Sequence, residues 1–86
     1  MKTVTIYTRS LCVWCIRAKW LLRRQGVAYQ EIDASGDETR RALLERTGRR
    51  TVPQVFFGDE SVGGFDELRA LVRQGTLDLR LGRARA

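Results

Sequence analysis

Cys12-Val13-Trp14-Cys15 holds the only two cysteines of this 86-residue chain, and it falls where one hydrophobic period gives way to another. Upstream, Val4 and Ile6 alternate with Thr3, Thr5 and Tyr7, the two-residue repeat of a strand. Downstream, from Ile16 to Gln25, Ala18, Leu21 and Leu22 recur at helical spacing, and Gly26 follows as a stop signal. The cysteine pair thus spans a strand-to-helix junction, which commits the chain to an α/β arrangement. Backbone N–H groups in the first turn of a helix lack intrahelical partners, and the helix dipole favours negative charge there. A free thiol, with a pKa of ~8.5, is mostly protonated at neutral pH, so this is a place where a thiolate at Cys12 is favoured. Cys15 lies three positions on and returns to the same helix face, placed to attack a mixed disulfide formed at Cys12. The pair reads as a redox dithiol.

Other uses of the two cysteines fit less well. A structural zinc site needs four ligands, and the chain offers two cysteines and no histidine. A structural disulfide closing so short a loop would constrain little. Met1-Lys2-Thr3-Val4 enters a strand at once, so no signal peptide is expected and the expected compartment is the reducing cytoplasm. Two inert buried cysteines would require Cys12 to face inward at a helix start beside polar Ser10.

A chain of this length makes one domain, and 43% hydrophobic residues with interspersed charge indicate a folded one. No apolar run approaches the ~18–20 residues of a membrane span. The net charge is +6 and fourteen of the sixteen basic residues are arginine, yet they are scattered from Arg9 to Arg85 with no run longer than two. This describes a solvated basic surface that steers anionic partners rather than a nucleic-acid interface. A monomer with neither nucleic-acid nor membrane partners is expected.

A second strand is predicted over residues 28–33, giving a parallel βαβ unit with a right-handed crossover. Ser35 and Glu38 are spaced as a capping box opening a second helix, residues 37–47, which Gly48 ends. Gln54-Val55-Phe56-Phe57 reads as a buried strand, turned by Gly58-Asp59-Glu60 into Ser61-Val62. Gly63-Gly64 breaks that hairpin, and Phe65 to Gln74 forms a third helix with Leu68, Leu71 and Val72 inward. Arg80 to Ala86 looks frayed, so the domain is expected over residues 1–80 with a basic tail over 81–86. The order βαβ-αββα describes a four-stranded mixed sheet flanked by three helices.

Three further signals each carry two readings. Pro53, the only proline, is either a strand-start residue or part of a cis Thr51-Val52-Pro53 turn that opens the Val52 backbone to a peptide-like ligand. Gly63-Gly64-Phe65-Asp66 is either a bend with a helix cap or an anion site, where N–H groups of Phe65 and Asp66 hold a carboxylate and Asp66 an adjacent ammonium. Arg9 and Arg49 are either surface arginines or partners for a second carboxylate beside the dithiol.

In order and spacing, Tyr7-Thr8-Arg9, the Cys12–Cys15 motif, Arg49-Arg50-Thr51-Val52-Pro53-Gln54-Val55-Phe56 and Gly63-Gly64-Phe65-Asp66-Glu67-Leu68 resemble a bacterial dithiol glutaredoxin. The resemblance covers about residues 3–80. It implies a thioredoxin fold and a glutathione-dependent thiol–disulfide oxidoreductase that reduces protein disulfides and glutathione mixed disulfides. It implies Cys12 as nucleophile and Cys15 as resolving thiol. Val52, with Thr51 and Pro53, matches the segment that pairs with the cysteinyl part of glutathione. Gly64, Phe65 and Asp66 match the γ-glutamyl site, and Arg9 and Arg49 match positions that hold the glycyl carboxylate. Trp14 is the large aromatic beside the nucleophile and is counted with the glutathione-binding residues. Glutathione is implied as co-substrate, and disulfide-containing or glutathionylated proteins as partners.

The family usually has Pro-Tyr between the cysteines, where this chain has Val13-Trp14, and Val13 supplies an N–H that proline lacks. Val13 and Gly64-Phe65 also resemble glutaredoxin-like redoxins, which thioredoxin reductase reduces and which feed ribonucleotide reductase. Arg9, Arg49 and Asp66 argue for glutathione. Some relatives without the proline bridge a [2Fe–2S] cluster between two chains. A non-catalytic thioredoxin-fold binding module is the remaining alternative, against which the intact cysteine pair counts; no bound metal is expected.

Overall fold

The hydrophobic alternation of the first strand and the unbroken apolar run of the third meet at the centre of one sheet. The computed structural model describes residues 1–84. Along them run β1 (Val4–Thr8), α1 (Val13–Arg24), β2 (Gln30–Asp33), α2 (Asp37–Thr47), β3 (Gln54–Phe57), β4 (Glu60–Gly63), α3 (Phe65–Gln74) and α4 (Leu77–Leu81). The strand order is β2-β1-β3-β4. β1 runs parallel to β2, with Ile6 opposite Glu31, and antiparallel to β3, with Ile6 opposite Val55. β3 and β4 form the antiparallel hairpin, with an irregularity between Val55 and Phe56.

Both faces of this sheet are covered, which is why β3 is buried at every position. On one face Val4, Ile6, Val55 and Phe57 pack with Ala18 and Leu22 of α1, Leu68 and Leu71 of α3, and Leu77 and Leu81 of α4. On the other, Phe56 packs with Ala34 and with Leu43 of α2. Side chains alternate across a strand, so Phe56 and Phe57 serve opposite cores. Each fully buried phenylalanine contributes about 1.5–3 kcal/mol relative to exposure.

Two local expectations are corrected. The Ser35–Glu38 capping box does not form: Gly36 is the N-cap of α2 and makes no side-chain cap bond. The Ser35 N–H instead donates to Asp33 Oδ1 at 2.9 Å, an Asx-type bond two residues on that ties Ser35 to the end of β2. The frayed basic tail is corrected over its described part. Leu77 and Leu81, one helical turn apart, are buried, and this anchors a fourth helix. Arg83 donates from Nε to Asp78 Oδ1 at 2.7 Å and from a terminal nitrogen to the Gln25 carbonyl at 2.9 Å, and Arg80 pairs with Glu60 at 3.1 Å. Residues 85 and 86 of the expected tail lie outside the described residues.

Candidate active site

β1 ends at Thr8, and a short loop delivers the chain to α1. Leu11 in that loop is exposed and has φ 56°, a left-handed conformation that is costly for a side-chain-bearing residue, on the order of 1–3 kcal/mol. Cys12 follows as the N-cap of α1, with extended φ −113° and ψ 106°. The Cys15 N–H donates to Cys12 Sγ at 3.1 Å, so the sulfur takes the place of the oxygen that an N-cap side chain normally offers. Helix α1 therefore begins at Val13, three residues before the apolar periodicity becomes visible.

The two thiols sit in different surroundings. Cys12 is partly exposed and its Sγ lies 4.0 Å from the Val52 carbonyl oxygen. Cys15 is buried, and its thiol is pushed up to about 11. Burial is the main cause, reinforced by the hydrogen bond with Cys12 and by its charge; a backbone hydrogen bond from Arg9 and the charge of Lys19 act in the opposite sense. At neutral pH Cys15 is thus held as a thiol behind the accessible Cys12.

Beyond Cys12 lies a cleft of about 170 Å³, bounded on one side by Thr51, Val52 and Pro53 and on the other by Gly64, Phe65 and Asp66. The Val52-Pro53 peptide bond is cis, the sharper of the two sequence readings. Trp14 closes the cleft toward the dithiol: its ring lies 5.5 Å from that of Phe65, and the Arg17 guanidinium sits 4.8 Å from its centroid. The first α-helical hydrogen bond of α3 runs from the Leu68 N–H to the Gly64 carbonyl, so the amides of Phe65 and Asp66 stand ahead of that ladder at the cleft. The paired glycines are required by close approach. Gly63 has φ 118°, and a Cβ there would meet Glu67 Oε1 at 2.5 Å; a Cβ on Gly64 would lie 3.3 Å from the Pro53 carbonyl oxygen.

Arg9 and Arg49, paired in the sequence reading, are not brought together. Arg49 lines the cleft and is bound to Glu67, with Nη1 2.7 Å from Oε1. The same carboxylate oxygen accepts the Gly64 N–H at 2.6 Å. Arg49, and then the Gly64 N–H, hold the Glu67 carboxyl below its ordinary value. The sequence motif includes Glu67 without a role for it; its signal is its place three residues after the N-cap, the acid position of a capping box. Arg9 lines a groove with Cys12, Cys15, Lys19 and Glu31, and a separate cavity with Arg40, Arg41 and Arg50. In the groove Glu31 Oε2 accepts from Thr8 Oγ1 at 2.6 Å and from Lys19 Nζ at 3.0 Å, which keeps its carboxyl ionised. Among the described residues no group of three or more His, Cys, Asp or Glu is placed to hold a metal ion, and no helix is long and apolar enough to cross a membrane.

Residues 4–62 match the family model for glutaredoxin. The chain belongs to the glutaredoxin family. It is 50% identical over 82 residues to a glutaredoxin of Pseudomonas aeruginosa, covering 94% of this chain and 98% of the relative. It is 44% identical over 79 residues to glutaredoxin 3 of Escherichia coli, covering 91% of this chain and 95% of the relative. Among solved structures it is similar to glutaredoxin from Brucella melitensis, with a TM-score of 0.83 at 49% identity, over 99% of this chain and 96% of that one. It is also similar to a buckwheat glutaredoxin–glutathione complex, with a TM-score of 0.84 at 33% identity, over 94% of this chain and 77% of that one. The glutaredoxin family implies thiol–disulfide oxidoreductase activity, and the four-stranded mixed sheet with its flanking helices is the thioredoxin fold expected from the sequence.

Proposed function

We propose that this glutaredoxin is a glutathione-dependent thiol–disulfide oxidoreductase with Cys12 as nucleophile and Cys15 as resolving thiol. The observation that carries the reading is the cleft beside Cys12. The Val52 N–H makes no hydrogen bond among the described residues, so the cysteinyl part of glutathione pairs with Val52 without breaking a native bond. The leading amides of α3 receive the γ-glutamyl carboxylate, and Asp66 receives its ammonium. Arg9, on the other side of Cys12, receives the glycyl carboxylate, while Arg49 braces the cleft through Glu67. The similarity to a glutaredoxin solved with glutathione supports this assignment.

Two cycles follow from the thiol asymmetry. With a glutathionylated protein, the Cys12 thiolate attacks the glutathione sulfur, the Cys12–glutathione disulfide forms and the protein thiol leaves. A second glutathione thiolate then attacks the glutathione sulfur, releasing glutathione disulfide and the Cys12 thiolate. With a protein disulfide, the Cys12 thiolate attacks one substrate sulfur, the substrate S–S bond breaks, a mixed disulfide forms at Cys12 and the other substrate sulfur leaves as the first thiol. Cys15 gives up its proton and attacks Cys12 Sγ; the second substrate thiol leaves and the Cys12–Cys15 disulfide forms. Two glutathiones reduce that bond. Disulfide-containing and glutathionylated proteins of a reducing cytoplasm, ribonucleotide reductase among them, are the partners this reading suggests.

The test is NADPH consumption by the oxidised protein in two coupled systems, one with glutathione and glutathione reductase, the other with thioredoxin reductase alone. Fast turnover is expected in the first. Fast turnover in the second alone would overturn glutathione dependence and favour a redoxin served by the flavoprotein.

A further inference from the structure

Helix α1 is apolar on two opposite faces. One is the core side, where Cys15, Ala18 and Leu22 are buried. On the outer side Val13, Ile16 and Trp20 follow at i, i+3 and i+7, the spacing of a seam for another helix. These three are 59%, 58% and 54% exposed, and Leu11, just before Cys12, is exposed as well. From Val13 to Trp20 the stripe runs about 10 Å along the helix. Its flanks carry one sign of charge. Arg17 and Lys19 lie beside Ile16 and Trp20, Arg23 and Arg24 close the far end, and the helix has no acidic residue. Lys19 is held by Glu31, but Arg17, Arg23 and Arg24 form no ion pair among the described residues. The Arg24 guanidinium sits 5.3 Å from the Trp20 ring centroid, which keeps a cation at the edge of the apolar surface.

Neither core of the protein uses these outer side chains. An apolar stripe rimmed by charge marks an interaction surface, and tryptophan and arginine dominate the energy of such contacts. We propose that the outer face of α1 docks an acidic amphipathic helix of the protein that exchanges its disulfide with Cys12. The partner's identity rests on the exchange chemistry proposed at Cys12. The stripe begins at Val13, next to the nucleophile, so a chain seated on it is held close to that sulfur. The partner's apolar residues pack between Val13, Ile16 and Trp20, while its carboxylates meet Arg17, Arg23 and Arg24. A second copy of this chain fits poorly, because a two-fold pairing sets basic flank against basic flank. A lipid surface also fits poorly, because seating Val13 on it closes off the neighbouring Cys12 from any disulfide. The contact is small, as suits a partner that leaves after each exchange.

The experiment follows the backbone and indole N–H signals of the full chain by NMR. The probes are two cysteine-free helical peptides with the same leucine seam, flanked in one by glutamate and in the other by lysine. The acidic peptide is expected to shift Val13, Ile16, Arg24 and the Trp20 indole, and to bind at least tenfold tighter than the basic one at low salt. Raising the salt should narrow that gap. Trp20→Ala should weaken the acidic peptide roughly tenfold, as loss of a central aromatic anchor does. In a second arm the acidic peptide carries a cysteine as a mixed disulfide with a small thiol. It should react with reduced protein several-fold faster than the same disulfide without the helix, and Trp20→Ala should remove only that advantage. Equal binding of the two peptides, shifts on another face, or unchanged binding in folded Trp20→Ala would each overturn the proposal. So would vesicles of equal parts phosphatidylglycerol and phosphatidylcholine that perturb these signals when the acidic peptide does not, or concentration-dependent shifts that report self-association. The charge and salt series on the parent decides the matter should the variant not fold. The titration involves no thiol and no glutathione, so a failure of glutathione recycling in the coupled assay leaves its result untouched.

Discussion

Removing Glu67 tests whether one carboxylate holds together the cleft between the Thr51–Pro53 segment and the start of α3. Its Oε1 accepts the Gly64 N–H at 2.6 Å and meets Arg49 Nη1 at 2.7 Å. The first contact is a cap bond at the start of α3, for which a loss of about 1 kcal/mol is typical. The second joins side chains that are 47% and 43% exposed, so solvent screening leaves about 0.2–1 kcal/mol. Glu67→Ala forfeits both and is expected to destabilise by about 1–2 kcal/mol, lowering Tm by roughly 5–10 °C in a domain of this size. Glu67→Gln keeps an oxygen for Gly64 and loses only the ion pair, lowering Tm by about 2–4 °C. The folded-state pKa of Glu67 is depressed below 4.5, so the charge contribution is fully present above that value and disappears as pH falls through the folded pKa. Thermal melts of parent and both variants between pH 7 and pH 3.5 read this directly. Equal Tm values for the two variants at pH 7, or a gap between parent and Glu67→Gln that persists undiminished at the acid end, would refute the reasoning.

Cys12→Ser should abolish turnover, whereas Cys15→Ser should retain removal of glutathione from mixed disulfides and lose reduction of protein disulfides; coupled assays with the two substrate types separate these. In Cys12→Ser the remaining thiol should stay slow toward iodoacetamide at neutral pH and speed up only in strongly alkaline solution, because burial, the largest cause of its raised pKa, survives the substitution. Gly63→Ala should cost about 1–3 kcal/mol in urea denaturation, since φ 118° and a 2.5 Å approach to Glu67 Oε1 both oppose a Cβ. Arg9→Ala should weaken binding of glutathionylated peptides a few-fold, as measured by KM, with kcat little changed.

What was legible in the chain was what repeats locally. The unbroken Gln54–Phe57 run announced a strand covered on both faces, and Leu68, Leu71 and Val72 fixed the inward side of α3 over its observed span. Helix α4 was hidden because Leu77-Asp78-Leu79-Arg80-Leu81 alternates at a period of two while its burial depends on distant contacts, such as the Lys2 N–H to the Leu81 carbonyl at 2.8 Å. The apolar repeat of α1 shows only from Ile16, three residues after the helix starts at Val13 behind its sulfur cap. The cysteines and the Thr51–Pro53 and Gly64–Asp66 segments could be named from their order, but the partition of the arginines could not. Arg49 and Arg50 are neighbours in sequence, yet one is tied to Glu67 in the cleft and the other opens on the second cavity.

That partition follows from the sheet. β3 must enter between β1 and β4, so the segment before it crosses the mouth of the fold beside the start of α1. Val52, one residue before Pro53, is therefore held next to Cys12 with its N–H unbonded among the described residues, and the residues on either side of the crossing face different surroundings. The first cleft lies toward α3, where the helix-start amides and Asp66 line it. The second cavity lies toward α2, where Arg40 and Arg41 line it. One backbone crossing thus sets two concave surfaces of different lining beside Cys12.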